Sequence, residues 1–147
     1  MASPVVAEEL GFEVARVEAV GGPAGAATAF DRLEERMESL RGRKMYGVLY
    51  PGKPGRYFAC LRLDTEFSDD LGFERAMVPG GLFGRRLIHD WNSKISELAQ
   101  IFDSLHADLS RVGYATDLSR PCVEFYRRLD ELVIMVPVMT ESATSDH

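Results

Sequence analysis

The order of predicted secondary-structure elements occurs twice along this chain, and that repetition constrains the fold more than any single motif. Residues 12–64 and residues 73–138 each predict a strand, a helix and two further strands. One such unit cannot easily bury both its helix and its sheet, but two units side by side can. The sequence therefore predicts an α+β fold, in which a duplicated βαββ repeat places both helices on one face of a single antiparallel sheet.

Two stretches carry apolar residues at helical spacing, which predicts an amphipathic helix in each. We expect the first helix near residues 24–41 and the second near residues 92–109, each with its apolar stripe largely buried. The stripes consist of Phe30, Leu33, Met37 and Leu40 in the first helix and of Ile95, Leu98, Phe102 and Leu105 in the second.

Turn residues mark the strand boundaries, and polar ends mark the limits of the domain. The Pro- and Gly-rich residues 51–55 separate two β-rich runs and predict a hairpin with a five-residue loop. We expect a flexible lead-in over residues 1–11 and a flexible tail over residues 139–147. Residues 12–138 then form a single domain, and the cleft between its halves is the natural place for a ligand.

Composition and charge favour some classes of partner over others. The chain has 147 residues and a net charge of −6, with Lys and Arg scattered along it. This disfavours nucleic acid as a partner and mildly favours cationic small molecules. The sequence contains no run of about 18 apolar residues and no apolar N-terminal region of a signal peptide. We therefore expect a cytoplasmic protein without membrane contact, and the oligomeric state stays open, with a homodimer as one option.

The cysteines and histidines give no sign of a metal site. Cys60 and Cys122 lie within predicted strands and lack a CxxC partner, so we expect two buried, reduced thiols. His89, His106 and His147 have no metal-ligand spacing with each other or with the cysteines. The sequence thus predicts neither a metal nor a cofactor.

The strand near the C-terminus places an acid among apolar residues. Side chains alternate along a strand, so Val123 and Phe125 face one way, whereas Cys122, Glu124 and Tyr126 face the other. A carboxylate in such a strand must be solvated, paired or used. Two interpretations stay open, a solvated sheet face and a pocket floor with one anionic group.

Further candidates lie near the same cleft. Trp91, at the start of the second predicted helix, is either a core anchor or a wall on which a flat ligand stacks. Tyr46 and Tyr57 belong to the first hairpin, where tyrosines are common in any case. Gly47 stands in the first repeat where Glu124 stands in the second, which leaves a gap on one side of the cleft and an acid on the other.

Short motifs at consistent spacing carry a family resemblance over residues 12–138. They are Arg56-Tyr57-x-x-Cys60, the Pro79-Gly80 turn, Glu124-x-Tyr126 and the closing strand 134–138, which ends in Pro-Val. Together they resemble the GyrI-like small-molecule-binding domain, also known as the effector-binding domain of AraC-type and multidrug-sensing MerR-type regulators. The chain departs from the family pattern in the short turn at residues 127–131 and in residues 85–90, which replace a His-x-Gly motif.

The resemblance implies a pocket between the halves, in which Glu124 is the buried acid that meets cationic aromatic ligands beside Tyr126. Three functions stay open. The first is binding of hydrophobic, aromatic, cationic compounds in drug sensing, sequestration or resistance. The second is hydrolysis of cyclopropane-containing cytotoxic compounds, with Glu124 and Tyr126 as catalytic residues. The third is protein binding of the kind seen in inhibitors of DNA gyrase. The residues predicted to contact a ligand are Glu124, Tyr126, Trp91, Tyr46, Gly47, Tyr57 and Cys122.

Overall fold

A computed structural model describes residues 4–52, 55–128 and 130–139 of the chain. Within them, two α-helices pack on one antiparallel sheet of eight strands, which confirms the predicted fold class. The strands are β1 (Val5–Glu9), β2 (Phe12–Glu18), β3 (Met45–Tyr50), β4 (Arg56–Arg62), β5 (Glu74–Val78), β6 (Gly81–His89), β7 (Cys122–Arg128) and β8 (Glu131–Pro137). The helices are α1 (Ala26–Glu35) and α2 (Leu98–Arg111), preceded by the 3₁₀ segments Gly22–Gly25 and Trp91–Glu97.

The strand order is β1-β6-β8-β7-β3-β4-β2-β5, so β7 of the second half pairs with β3 of the first at the centre. The predicted hairpin of β3 and β4 is present. Strand β1 precedes β2 but pairs with β6, and β5 precedes β6 but pairs with β2. If β1–β4 are taken as the first half and β5–β8 as the second, the first strand of each half pairs with the second strand of the other half. Each half has two strands before its helix, one more than the proposed βαββ repeat, and the duplication itself stays a prediction.

The expected flexible lead-in is wrong for residues 5–9. These residues form β1, in which Val5 lies opposite Arg85 of β6. The sequence did not predict this strand because its partner is far away in sequence, and no local turn or hairpin indicates the pairing. The first three residues of the predicted lead-in and residues 140–147 of the predicted tail lie outside the described residues.

Both α-helices are shorter than predicted. Leu33 and Leu105 are fully buried at the centres of the two stripes, but Leu40 is 54% exposed and Ile95 is 59% exposed. Leu40 lies beyond the end of α1, and Ile95 belongs to the 3₁₀ segment, whose three residues per turn break the phase of the α-helical stripe. The remaining stripe residues are half-buried, namely Phe30, Met37, Leu98 and Phe102.

The helices divide the sheet into two unlike faces. On one face, which we call the helix face, α1 covers β2 and β4 while α2 covers β6 and β8, so the central strands lie between them. On the opposite face, apolar side chains of the strands pack on one another, and Val78 of β5 joins Phe83 of β6 in one cluster. The sheet is curled, because strands near its two ends contribute to this cluster. Neither α-helix has the length and hydropathy of a membrane span.

Candidate functional site

The candidate site lies on the helix face, where the two halves of the sheet meet. Gly47 of β3 is directly opposite Glu124 of β7, as the sequence predicted. The predicted alternation along β7 is also present, since Val123 packs into the cluster of the opposite face and Tyr126 packs on the helix face. The fold thus brings the acid to the centre of the sheet, between α1 and α2.

Two phenols hold the Glu124 carboxylate. The Tyr57 hydroxyl donates a hydrogen bond of 2.5 Å to Oε1 of Glu124, and the Tyr126 hydroxyl donates one of 3.1 Å to the same oxygen. The two phenol oxygens are 3.5 Å apart. No residue of the described part of the chain donates a hydrogen bond to Oε2, so half of the carboxylate keeps its acceptor capacity.

Gly47 makes room for this arrangement. A Cβ atom at that position would lie 1.9 Å from the Tyr57 hydroxyl oxygen and 2.3 Å from Oε1 of Glu124. Real Cβ atoms do not approach other heavy atoms so closely, because the van der Waals repulsion is prohibitive. The glycine is therefore required by the hydrogen bond that passes over it.

Aromatic rings from both helical segments surround the phenols. Phe30 of α1 packs edge-on against Tyr126 with ring centroids 5.2 Å apart, and against Tyr57 at 6.5 Å. Trp91 packs against the same Tyr126 ring at 5.2 Å. The indole Nε1 of Trp91 is buried and has no hydrogen-bond partner in the described ranges. The walls of the site are thus aromatic, with one unpaired donor.

Burial controls the ionisation of the site. It raises the pKa of Glu124, and the hydrogen bonds from Tyr57 and Tyr126 only partly oppose it, because they favour the charged form. Burial and the neighbouring carboxylate raise the pKa of both tyrosines far above neutral pH. The phenols therefore stay protonated as donors, and Glu124 is the group that changes its charge.

A buried acid elsewhere on the helix face provides a reference. Asp108 of α2 is 6% exposed, and it accepts a hydrogen bond of 2.7 Å from Arg86 of β6 and another from Arg111. The hydrogen bond from the Arg86 guanidinium is the largest cause that holds the pKa of Asp108 below its usual value. Asp108 thus has cationic partners within the protein. Glu124 has no ion pair with any Lys, Arg or His among residues 4–52, 55–128 and 130–139.

Comparison with known proteins gives structural likeness only. No family model matches the chain, and no curated protein matches it. Integron cassette protein VCH_CASS2, from the mobile metagenome of Vibrio cholerae, has a TM-score of 0.67 and 16% identity over 93% of this chain and 96% of its own. SAV2435 bound to tetraphenylphosphonium has a TM-score of 0.63 and 13% identity over 99% of both chains. A hydrolase from Listeria innocua has a TM-score of 0.55 and 11% identity over 93% and 92%. These likenesses establish the fold.

One predicted site residue lies elsewhere. Tyr46 precedes Gly47 on β3, so its side chain points to the opposite face of the sheet, where it stacks on Phe125 with ring centroids 4.7 Å apart. Placing Tyr46 in the same cleft as Glu124 was therefore wrong, because neighbouring residues of a strand face opposite ways. The other predicted residues share the helix face with Glu124, namely Tyr126, Trp91, Gly47, Tyr57 and Cys122.

Three further observations concern the composition of the site. Phe30, which the sequence placed only in a helical stripe, contacts both phenols, and no spacing signal could reveal which strand its helix would cover. Burial raises the pKa of the Cys122 thiol to about 11, so it stays protonated and is not a nucleophile at neutral pH. Within the described ranges, no group of three His, Cys, Asp or Glu residues is placed to hold a metal ion.

Proposed function

We propose that this protein binds hydrophobic, cationic aromatic small molecules between its two helices, with Glu124 as the anionic anchor. The observation that carries the proposal is a half-buried acid whose pKa is raised by desolvation and which is held by two phenols and by no cation of the described chain. An ionised carboxylate in such a place is costly unless a positive charge is supplied. Asp108 receives that charge from two arginines, and we propose that Glu124 receives it from a ligand.

Each part of the site has a role in this binding. The free Oε2 of Glu124 faces the ligand cation, while the rings of Trp91 and Phe30 provide stacking and cation–π surfaces. Both rings pack against Tyr126, which donates to the carboxylate, and we propose that a ligand displaces one of them as it binds. We propose that the 3₁₀ segment Trp91–Glu97 moves, because none of its residues is fully buried.

The structural comparisons support the same class of ligand. SAV2435, which has the same fold over nearly the full chain, was solved with tetraphenylphosphonium, a cationic aromatic compound. The sequence resemblance to the GyrI-like family points the same way through Glu124 and Tyr126. We propose membership of that family, with Glu124, Tyr57 and Tyr126 as the ligand-binding core.

The test is a calorimetric titration with two ions of equal shape and opposite charge, tetraphenylphosphonium and tetraphenylborate. We expect wild type to prefer the cation, and Glu124→Gln to weaken cation binding by about 1–3 kcal/mol without weakening the anion. Glu38→Gln, a change of the same chemistry at an exposed position, should alter neither. Equal cation affinity of wild type and Glu124→Gln would contradict the proposal.

A second candidate function is hydrolysis of an electrophilic small molecule. It is favoured by the Tyr126 phenol, a proton donor 3.1 Å from a carboxylate whose pKa is raised and whose second oxygen is free. Glu124 would take the proton of an attacking water while Tyr126 donates to the leaving atom. In that case Glu124→Gln should lower turnover of a cyclopropane-containing electrophile with little change in binding. The test is to measure formation of the hydrated product by mass spectrometry. A rate equal to that in buffer without the protein would reject the hydrolase function.

A further inference from the structure

A cavity lies on the face of the sheet opposite the helices. Its volume is about 400 Å³, within the range of about 300–1,000 Å³ typical of small-molecule sites. Its lining includes the apolar side chains of Val123, Phe125 and Met135 from the central strands. Because Val123 and Phe125 alternate with Glu124 along β7, this cavity is separated from the candidate site by the sheet itself.

Basic side chains contribute to the lining of this cavity. Lys44 and Arg62 belong to it, and neither forms an ion pair with an acid in the described part of the chain. The Arg62 guanidinium lies 4.5 Å from the ring centroid of Phe12 and donates a hydrogen bond of 3.3 Å to the Tyr46 hydroxyl. Arg62 therefore has an aromatic and a phenolic neighbour and no direct ion pair in the described part of the chain.

Arg85 is the third cation of the lining, and its hydrogen bonding is incomplete. Its one ion pair is long, at 3.5 Å between Nη1 and Oε2 of Glu9. Its Nε is buried and has no hydrogen-bond partner in the described ranges. A buried donor without an acceptor is unfavourable, and a carboxylate satisfies a guanidinium through two parallel hydrogen bonds. Glu8 and Glu9 also line the cavity, so three cations face two acids in a protein of net charge −6.

We propose that this cavity binds an amphipathic monocarboxylate. The apolar body of the ligand lies against Val123, Phe125 and Met135, and its carboxylate displaces Glu9 from Arg85. The charge preference is opposite to that proposed for Glu124, since the group with incomplete hydrogen bonding is here a guanidinium, whose Nε has no acceptor among the described residues. The inference stands on its own cavity and does not depend on the function proposed for the helix face.

The first test uses 2-naphthoate and its neutral isostere 2-naphthamide in calorimetric titrations. We expect Arg85→Met to lower naphthoate affinity about ten-fold or more, with little effect on naphthamide. Arg56→Met is the matched control, because Arg56 is exposed, pairs with Glu18 and does not line the cavity. Arg62→Met provides a second reading should Arg85→Met fail to fold. Equal naphthoate affinity in wild type and both folded cavity variants, or no binding by wild type at millimolar concentration, would overturn the proposal.

The second test locates the ligand by NMR of ¹³C-methyl methionine. Naphthoate should shift the methyl resonance of Met135, which lines the cavity, and leave that of Met37, which packs on the helix face, unchanged. Saturating tetraphenylphosphonium and the Glu124→Gln change should both leave naphthoate affinity intact. Displacement of naphthoate by the cation, or a shift of Met37 alone, would place the anion in the helix-face site and reject the proposal.

Discussion

Asp108 is a buried carboxylate and Glu124 a half-buried one, both on the helix side of the sheet, and their partners are opposite in kind. Asp108 meets Arg86 of β6 and Arg111 of its own helix, so its charge is balanced and its pKa is lowered. Glu124 meets only phenols, and burial raises its pKa. The difference teaches that burial of an acid does not by itself mark a binding site. An acid whose partners are cations has a structural role, whereas an acid without a cationic partner is a candidate to bind a cation from outside.

The location of each acid explains its partners. Asp108 lies where α2 covers β6, so an arginine of the strand and one of the helix both reach it, and the ion pair with Arg86 joins the helix to the sheet. Glu124 lies on β7 between the two helices, where the nearest side chains are aromatic. The central position between the halves thus surrounds one carboxylate with aromatic rings and gives it no counter-charge among the described residues.

The largest effect that would sharpen the comparison is expected from Gly47→Ala. The new Cβ would clash with the Tyr57 hydroxyl and with Glu124, so the hydrogen bond that defines the Glu124 region cannot survive in its present geometry. We expect a loss of unfolding free energy of about 3 kcal/mol or more, measured by urea denaturation. Gly21→Ala is the comparison, because no atom lies within 4 Å of its Cβ position and its cost comes from its left-handed φ of 81° alone, about 1–2 kcal/mol. Equal stability of the two variants would show that the Glu124 region is looser than its geometry indicates.

A smaller but opposite pair of effects is expected from Asp108→Asn and Glu124→Gln at neutral pH. Asp108→Asn leaves Arg86 and Arg111 without their counter-charge and should destabilise the protein. Glu124→Gln keeps an acceptor for both phenols and removes a buried charge, so it should preserve or increase stability. Thermal unfolding of both variants checks this, and an equal fall in Tm would break the distinction between the two acids.

The pH dependence of stability separates the same two acids. The folded pKa of Glu124 is raised, so its stabilising contribution is present below its unfolded pKa of about 4.3 and is lost as pH rises through the folded pKa. The folded pKa of Asp108 is lowered, so its contribution is present above about 3.9 and is lost as pH falls through the folded pKa. Relative to wild type, Glu124→Gln should gain stability with rising pH, and the deficit of Asp108→Asn should vanish in acid. Parallel pH profiles would contradict both assignments.

The smallest effects are expected from the two phenols. Tyr57→Phe and Tyr126→Phe each remove one donor to the charged form of Glu124, which should raise its pKa further and weaken cation binding by about 0.5–1.5 kcal/mol. Tyr57→Phe should have the greater effect, since its hydrogen bond of 2.5 Å is the shorter one. Titration of the Glu124 ¹³Cδ resonance measures the shift. An unchanged midpoint in both variants would mean that the phenols do not support the charge.

Local rules of strand geometry made much of the site predictable. Alternation with a period of two placed Glu124 and Tyr126 on one face and Val123 on the other, and turn residues located the hairpin that carries Gly47 and Tyr57. The same rule, applied to β3, would have excluded Tyr46 from the site, because Tyr46 is the immediate neighbour of Gly47.

The features that the sequence did not reveal depend on distant contacts. The pairing of β1 with β6 has no local signal, and the 3₁₀ segment before α2 carries apolar residues that mimic an α-helical stripe. The cavity on the face opposite the helices requires the curl of the whole sheet, which brings Phe12 of β2 and Phe83 of β6 to one lining. Periodicity describes single helices and strands, and it contains no information on how a whole sheet curls.

Because the first strand of each half pairs with the other half, the topology also sets the order in which the sheet can be completed during synthesis. Because Val5 lies opposite Arg85, β1 is synthesised long before its partner exists, and the first half cannot finish its sheet until β5 has joined β2. Such long-range pairings slow folding, since much of the chain must be ordered before they form. Until then the outer side of β2 is an unpaired edge, the kind of surface on which nascent chains associate with one another.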